Sequence, residues 1–176
     1  MNVPTGELLR SRVVADARVP LEAALDRRLT GYAVVSPTDA LDPEREGVVL
    51  TFEAGVPVVA YHVGSDRGGP AALGALATPG PYRVELYASA VGDLDPVHEV
   101  DELRVAPGSP AERVAGAPAL ADRTRRAAPA DRDASGQGPV EAFLADEERI
   151  EAIREEARAE AERRAEEWGF DDAVED

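Results

Sequence analysis

The chain contains no cysteine and no lysine, and only 5% of its residues are aromatic. Without cysteine there is no disulfide framework, no thiolate metal site and no cysteine nucleophile. No run of ~18 consecutive apolar residues is present, as a membrane-spanning helix would require. Residues 1–18 also lack the apolar core of a signal sequence. We therefore expect a soluble protein of the cytoplasm without a membrane partner.

The charge that is present is strongly one-sided. All 19 basic residues are arginine, they face 35 Asp and Glu, and the formal net charge is -16. Such a charge costs self-repulsion in dilute buffer, but at molar salt the Debye length falls to about 3 Å and the cost largely disappears. This composition predicts the salt-rich cytoplasm of a halophile, the alternative being an acidic mesophilic protein from a GC-rich genome. It also argues against nucleic acid, whose phosphates need a basic face.

The charge distribution divides the 176 residues into three segments. Residues 1–128 carry a net charge of -5, and we interpret them as a folded body. Residues 129–138 are rich in Gly, Ser and Asp without an apolar period, which is typical of a flexible linker. Residues 139–176 carry a net charge of -10 and predict an acidic amphipathic helix with an acidic tail.

Within the body the clearest pattern is a β-hairpin. Two Val-rich runs, Gly47–Glu53 and Val56–Val63, flank Ala54-Gly55, where glycine can supply the positive φ of a tight turn. Leu29–Ser36 precedes them as another β-like run. Tyr82–Tyr87 alternates apolar and polar residues, which indicates a half-exposed antiparallel strand.

Short helices are predicted around these strands, several of them opened by proline. Together the elements predict an α+β fold with a small, mainly antiparallel sheet flanked by short helices. The predicted helices are Val19–Arg28, Pro70–Leu76, Pro96–Leu103, a segment starting at Ser109-Pro110 with Ser109 as its N-cap, and Pro118–Ala127.

A long helix is predicted from Val140 to Trp168, because the segment is free of Gly and Pro and its apolar residues fall on one narrow stripe. Three ways of burying the stripe stay open: packing on the body, pairing with a second copy as a homodimer, or insertion into a partner's groove. Its large apolar residues are the candidate interaction residues Phe143, Leu144, Ile150, Ile153 and Trp168.

Part of the body resembles a known family. Leu29-Thr30-Gly31, the hairpin from Gly47 to Ala60 and the glycine-led helix Gly69–Leu76 follow in the order seen in PATAN-type domains of prokaryotic signalling proteins. The resemblance covers about residues 19–77 and implies an interaction module, often found beside response regulators or small GTPases, without catalytic residues. The whole chain also resembles a family of acidic proteins from halophilic archaea.

A glycine-rich loop is the candidate ligand site. Gly64–Gly69 has glycines spaced as in a phosphate loop, but Pro70-Ala71 stands where such a loop needs Lys and Ser or Thr. Backbone amides at the helix entry still offer an anion site, and a purely structural loop is the alternative. The residues concerned are Gly64, Arg67, Gly68 and Gly69.

Two further groups of residues carry weaker signals. His62 and His98 are the only histidines, and a zinc site needs three or four convergent ligands, so we expect ordinary histidines and no metal. The basic cluster of Arg113, Arg123, Arg125 and Arg126 is either a docking patch or a set of charges balanced by nearby acids; we favour the second interpretation.

These observations favour a non-catalytic cytoplasmic interaction or adaptor protein, whose partner is a protein such as a signalling component. The hairpin strands Val48–Val63 and the helix Val140–Trp168 are the expected contact surfaces. The alternative is a small-ligand or anion sensor that uses the Gly64–Gly69 loop. We expect no enzyme activity and no cofactor.

Overall fold

A computed structural model describes residues 5–39, 42, 46–76, 80–130 and 132. All of them belong to one structural unit, Met1–Gly136. The predicted helix Val140–Trp168 and most of the predicted linker lie outside the described residues, as do the candidate interaction residues Phe143, Leu144, Ile150, Ile153 and Trp168.

The described residues form one antiparallel sheet with the strand order β1-β6-β2-β3-β4-β5. Every strand predicted from the sequence is confirmed to within two residues at each end. Two strands are not predicted. The first strand lacks the alternation that burial of one face imposes, and the fifth is a two-residue strand, Arg67–Gly68, within the glycine-rich loop. The strands are β1 (Glu7–Val14), β2 (Gly31–Pro37), β3 (Val48–Glu53), β4 (Val56–His62), β5 (Arg67–Gly68) and β6 (Tyr82–Ala88).

Short helices connect and cover the strands, which confirms the α+β class. The prediction of one helix over Pro96–Leu103 is wrong: Val100 is extended, with ψ of 101°, and it separates an α-helix, Asp95–His98, from a 3₁₀ turn, Asp101–Leu103. The predicted helix Pro70–Leu76 is likewise an α-helix that changes to a 3₁₀ turn at Gly74. The prediction of Ser109 as an N-cap is wrong: Gly108 occupies that position without a side-chain capping bond, and Ser109 is already helical. The helices are α1 (Arg18–Asp26), α2 (Gly69–Leu73), α3 (Asp95–His98), α4 (Ser109–Arg113) and α5 (Pro118–Ala127), with 3₁₀ turns at Gly74–Leu76 and Asp101–Leu103.

The two faces of the sheet are covered differently. On the face that we call the core side, Val35, Leu50 and Phe52 pack with residues of α1, α2, α4 and α5 in the main hydrophobic core. On the opposite face, the open side, Val58 and Val59 of β4 pack with Val97 and Leu103 in a small separate cluster. The open side is therefore covered near β4 by α3 and the following 3₁₀ turn.

The β3–β4 turn shows why glycine stands at position 55. Ala54 and Gly55 have φ of 48° and 86°, and positive φ at both central residues matches the twist of a two-residue hairpin. The Gly55 amide donates to the Leu29 carbonyl at 2.8 Å. A Cβ at Gly55 would lie 2.6 Å from the Ala24 carbonyl oxygen, so the hairpin sits tightly against the end of α1.

We expect Gly55→Ala to lower the free energy of unfolding by about 1–3 kcal/mol, because alanine strains a positive φ and collides with backbone. Gly74→Ala is the matched control: its φ is -59° and a Cβ there meets nothing within 4 Å. The control should be neutral or stabilising by about 0.4–1 kcal/mol. Denaturant unfolding followed by circular dichroism measures both, and equal stability of the two variants would contradict the turn geometry.

Candidate interaction surface

Strand β1 forms an exposed edge of the sheet. It pairs with β6, and no second strand pairs with it within the described part of the chain. Every β1 residue except Val14 is exposed. Three of the exposed residues are large and apolar: Leu8, Leu9 and Val13 are 52%, 45% and 55% exposed. Soluble proteins usually keep long, apolar edge strands out of solvent, so this edge is the first candidate for a contact surface.

A bulge divides the side chains of β1 between the two faces. Leu8 lies opposite Tyr87 and Arg10 opposite Leu86, so β1 has one extra residue, Leu9, between two pairs. After the bulge, Arg12 lies opposite Val84. Because Val84 and Leu86 belong to the main core, and opposed residues share a face, Arg10 and Arg12 project at the margin of the core side.

Three other β1 side chains belong to the open side. Leu8, Ser11 and Val13 lie opposite Tyr87, Glu85 and Arg83 of β6. All six side chains are exposed or partly exposed. The outer strip of the open side therefore combines two exposed apolar groups of β1 with polar groups of its neighbour.

The open side continues onto β2 through an aromatic pair. The rings of Tyr32 and Tyr87 stack with centroids 4.8 Å apart and planes 15° apart. The Tyr87 hydroxyl donates to Glu85 at 2.8 Å, and the Ser11 hydroxyl donates to the other oxygen of that carboxylate at 3.3 Å. The hydrogen bond to Glu85 and partial burial raise the pKa of Tyr87 to about 12, so this tyrosine is a neutral donor at physiological pH.

The two β1 arginines belong to the arginines of the described residues that lack a carboxylate partner, as do Arg27, Arg28 and Arg83. Arg18 pairs with Glu22 at 2.8 Å and Arg123 with Asp26 at 2.7 Å. Among the described residues, by contrast, no carboxylate lies within 4.0 Å of the guanidinium of Arg10 or Arg12. Two arginines on one exposed strand without an acidic partner among the described residues are notable in a chain whose net charge is -16.

Two arginines of the basic cluster, Arg123 and Arg125, pair with carboxylates, which agrees with the favoured interpretation. Arg125 contacts both Glu112 and Asp122, the second at 2.9 Å. Arg123 is held by Asp26, and the Arg126 guanidinium donates to the Asp122 carbonyl at 3.1 Å. The charges of Arg123 and Arg125 therefore balance acids on α1, α4 and α5.

The hairpin is not the contact surface that the sequence suggested. Strands β3 and β4 lie inside the sheet, and every residue of Val48–Phe52 and Val56–Ala60 is buried. The outer edge of β4 is covered as well, by β5 and by a bridge from Val59 to Arg104. Since their side chains contact the protein's own core, they are unavailable to a partner.

The glycine-rich loop has structural contacts that account for its glycines. Arg67 and Gly68 form β5, and Gly69, with φ of 61°, begins α2. A Cβ at Gly68 would lie 2.2 Å from a Leu103 methyl, and one at Gly69 would lie 2.8 Å from the Glu102 carbonyl oxygen. Gly64 lies in the preceding turn, which is closed by a Tyr61–Asp66 hydrogen bond. Use of this loop as an anion site stays a prediction.

The two histidines lie in separate hydrogen-bonded settings. His62 Nδ1 accepts from the Ser65 amide at 3.1 Å and lies 2.8 Å from the Ser65 hydroxyl. His98 Nε2 lies 3.0 Å from the Thr51 hydroxyl oxygen, which also accepts from the Val59 amide at 3.1 Å. Within the described ranges, no three His, Asp or Glu side chains are grouped to hold a metal ion.

Burial lowers the pKa of His98 below its usual 6.5, with Glu53 opposing and Arg132 reinforcing the shift. Below pH 6.5 the unfolded chain therefore binds more protons than the folded one, and stability falls as pH drops. We expect the unfolding midpoint to fall between pH 7 and 5, less steeply in His98→Gln than in wild type. His62→Gln is the control and should keep the wild-type slope; identical slopes in all three proteins would contradict the assignment.

Fold and surface together define an α+β protein whose antiparallel sheet ends in an exposed, apolar and arginine-bearing strand. The chain belongs to the family described as Domain of unknown function (DUF8572), whose model matches residues 2–170. No curated protein and no solved structure matches it. Within the described residues, no helix is both long enough and apolar enough to cross a bilayer.

Proposed function

We propose that this protein is a non-catalytic interaction or adaptor protein of the cytoplasm of a salt-adapted organism. The observation that carries the proposal is the exposure of β1, where Leu8, Leu9 and Val13 are about half exposed on a sheet edge. Burying apolar surface stabilises a complex by about 25 cal/mol per Å², and strand edges are a common docking element.

The salt adaptation supports this choice of surface. Molar salt screens a net charge of -16 and strengthens apolar contacts when its anions are excluded from the surface. Exposed apolar side chains on an edge strand are then more prone to association than in dilute buffer. A protein kept soluble by carboxylates that still exposes such a strand has a specific place for association.

The resemblance of residues 19–77 to PATAN-type domains agrees with an interaction role and suggests a signalling component as partner. The helix Val140–Trp168, with its apolar stripe, is a second proposed contact or homodimerisation surface. The strand edge replaces the hairpin as the contact surface of the folded body, because the hairpin is buried.

Affinity purification with mass spectrometry, from a lysate of the source organism in molar KCl, tests this function. Leu8→Ser/Val13→Ser should lower the recovery of specific partners about tenfold or more, because both side chains lie on the proposed surface. Val63→Ser/Val91→Ser is the matched control, since these residues are 41% and 91% exposed and lie outside β1. Absence of any specific partner, or equal recovery with both double variants, would contradict the proposal.

A further inference from the structure

We propose that the outer edge of β1 binds an extended partner segment as a seventh strand, and that this segment alternates acidic and apolar residues. The inference rests on the proposed interaction function and names the chemistry of its partner. Acidic side chains of the segment would face Arg10 and Arg12, and its apolar side chains would lie beside Leu8 and Val13.

Strand addition follows from the pairing of β1. Residues Arg10–Val14 continue in unbroken register with β6. In an antiparallel ladder, alternate residues direct their amide and carbonyl groups to opposite sides. Half of these groups therefore point away from β6, where an added strand can form hydrogen bonds with them.

The side chains select the partner's pattern. Arg10 and Arg12 are two residues apart on one face, about 7 Å along the strand. A strand opposite them places alternate side chains on that same face at the same spacing. Carboxylates there would neutralise two cations that have no acidic partner within the described residues. The intervening side chains of the added strand then share the open side with Leu8 and Val13.

A second copy of the chain fits this edge poorly. Two copies of β1 paired across a two-fold axis must keep core side opposite core side. Registers centred on Arg10, Ser11 or Arg12 then set an arginine of one copy directly opposite an arginine of the other, which destabilises a strand pair. The net charge of -16 on each copy adds repulsion. An acidic segment of a different protein avoids the opposition of two arginines.

Charge and bulges also occur on edges that proteins protect against pairing. Arg10, Arg12 and the bulge at Leu9 fit that interpretation, but the exposure of Leu8, Leu9 and Val13 does not. Protection alone predicts that no peptide adds to β1. The two interpretations are therefore separated by a binding measurement.

The test uses eight-residue peptides on the full chain, at the lowest KCl concentration that keeps it folded. One alternates Glu and Val, one alternates Lys and Val, and one is the Glu–Val peptide with its four central residues replaced by proline. We expect the Glu–Val peptide to bind about tenfold more tightly than the Lys–Val peptide, with amide shifts at residues 10–14. Because four consecutive residues include two that face β1 in either register, the proline peptide lacks half of the needed N–H donors and should not bind.

Charge reversal with Arg10→Glu/Arg12→Glu should invert this preference, so that the Lys–Val peptide binds more tightly. Arg27→Glu/Arg28→Glu changes the net charge equally at another exposed pair without a carboxylate partner among the described residues, and should keep the wild-type preference. The inference is overturned if no peptide binds, if both variants respond alike, or if the shifts lie away from β1. If partner recovery depends on Leu8 and Val13 but peptide binding does not depend on peptide charge, the interaction function still holds and the proposed acidic seventh strand does not.

Discussion

The arrangement of this molecule depends on the position of β6 between β1 and β2. The last strand of the described sheet pairs on one side with the first strand and on the other with the second. Its core-side residues Tyr82, Val84 and Leu86 are all buried. Strand β1 is attached to the sheet through β6, so it gains a ladder only once β6 is in place, and its other edge faces outward. Both the fold and the proposed function follow from this insertion.

The sheet is buried unevenly, and this decides where the protein can contact others. Four helices cover the core side, whereas the open side is covered near β4 by α3 and a 3₁₀ turn. Toward β1 the open side holds the Tyr32–Tyr87 stack and then exposed side chains. Acids on α1, α4 and α5 neutralise Arg123 and Arg125. Arg10 and Arg12, like Arg27 and Arg28, have no carboxylate partner in the described structure.

The sequence predicted those elements in which local pattern and burial agree. The hairpin around Gly55, the alternation of Tyr82–Tyr87 and the proline-opened helix Pro118–Ala127 each carry a turn residue or a period that packing preserves. Strand β1 could not be predicted this way. Apart from Val14, its segment Glu7–Val14 is exposed on both faces, so apolar residues cluster at its ends around Arg10-Ser11-Arg12 instead of alternating.

The exposed edge of β1 could not be predicted for the same reason. The Val-rich pattern of the hairpin predicts strands, but the same apolar side chains place those strands in the core. The contacts of Gly68 and Gly69 with residues 102–104 join segments more than thirty residues apart in the chain. Local spacing cannot distinguish such a packing requirement from a ligand loop. The available signal for an exposed edge was the pair of apolar dipeptides, Leu8-Leu9 and Val13-Val14, on either side of Arg10-Ser11-Arg12.

Amide hydrogen exchange along residues 10–14, followed residue by residue by NMR, tests the central claim that β1 has one paired and one open edge. The account predicts alternation: amides directed toward β6 exchange slowly, and the intervening amides exchange at nearly the rate of an unstructured chain. Slow exchange at every one of these residues would show that the outer edge is already covered. Fast exchange at all of them would show that β1 is not held by β6, and either result would contradict the account.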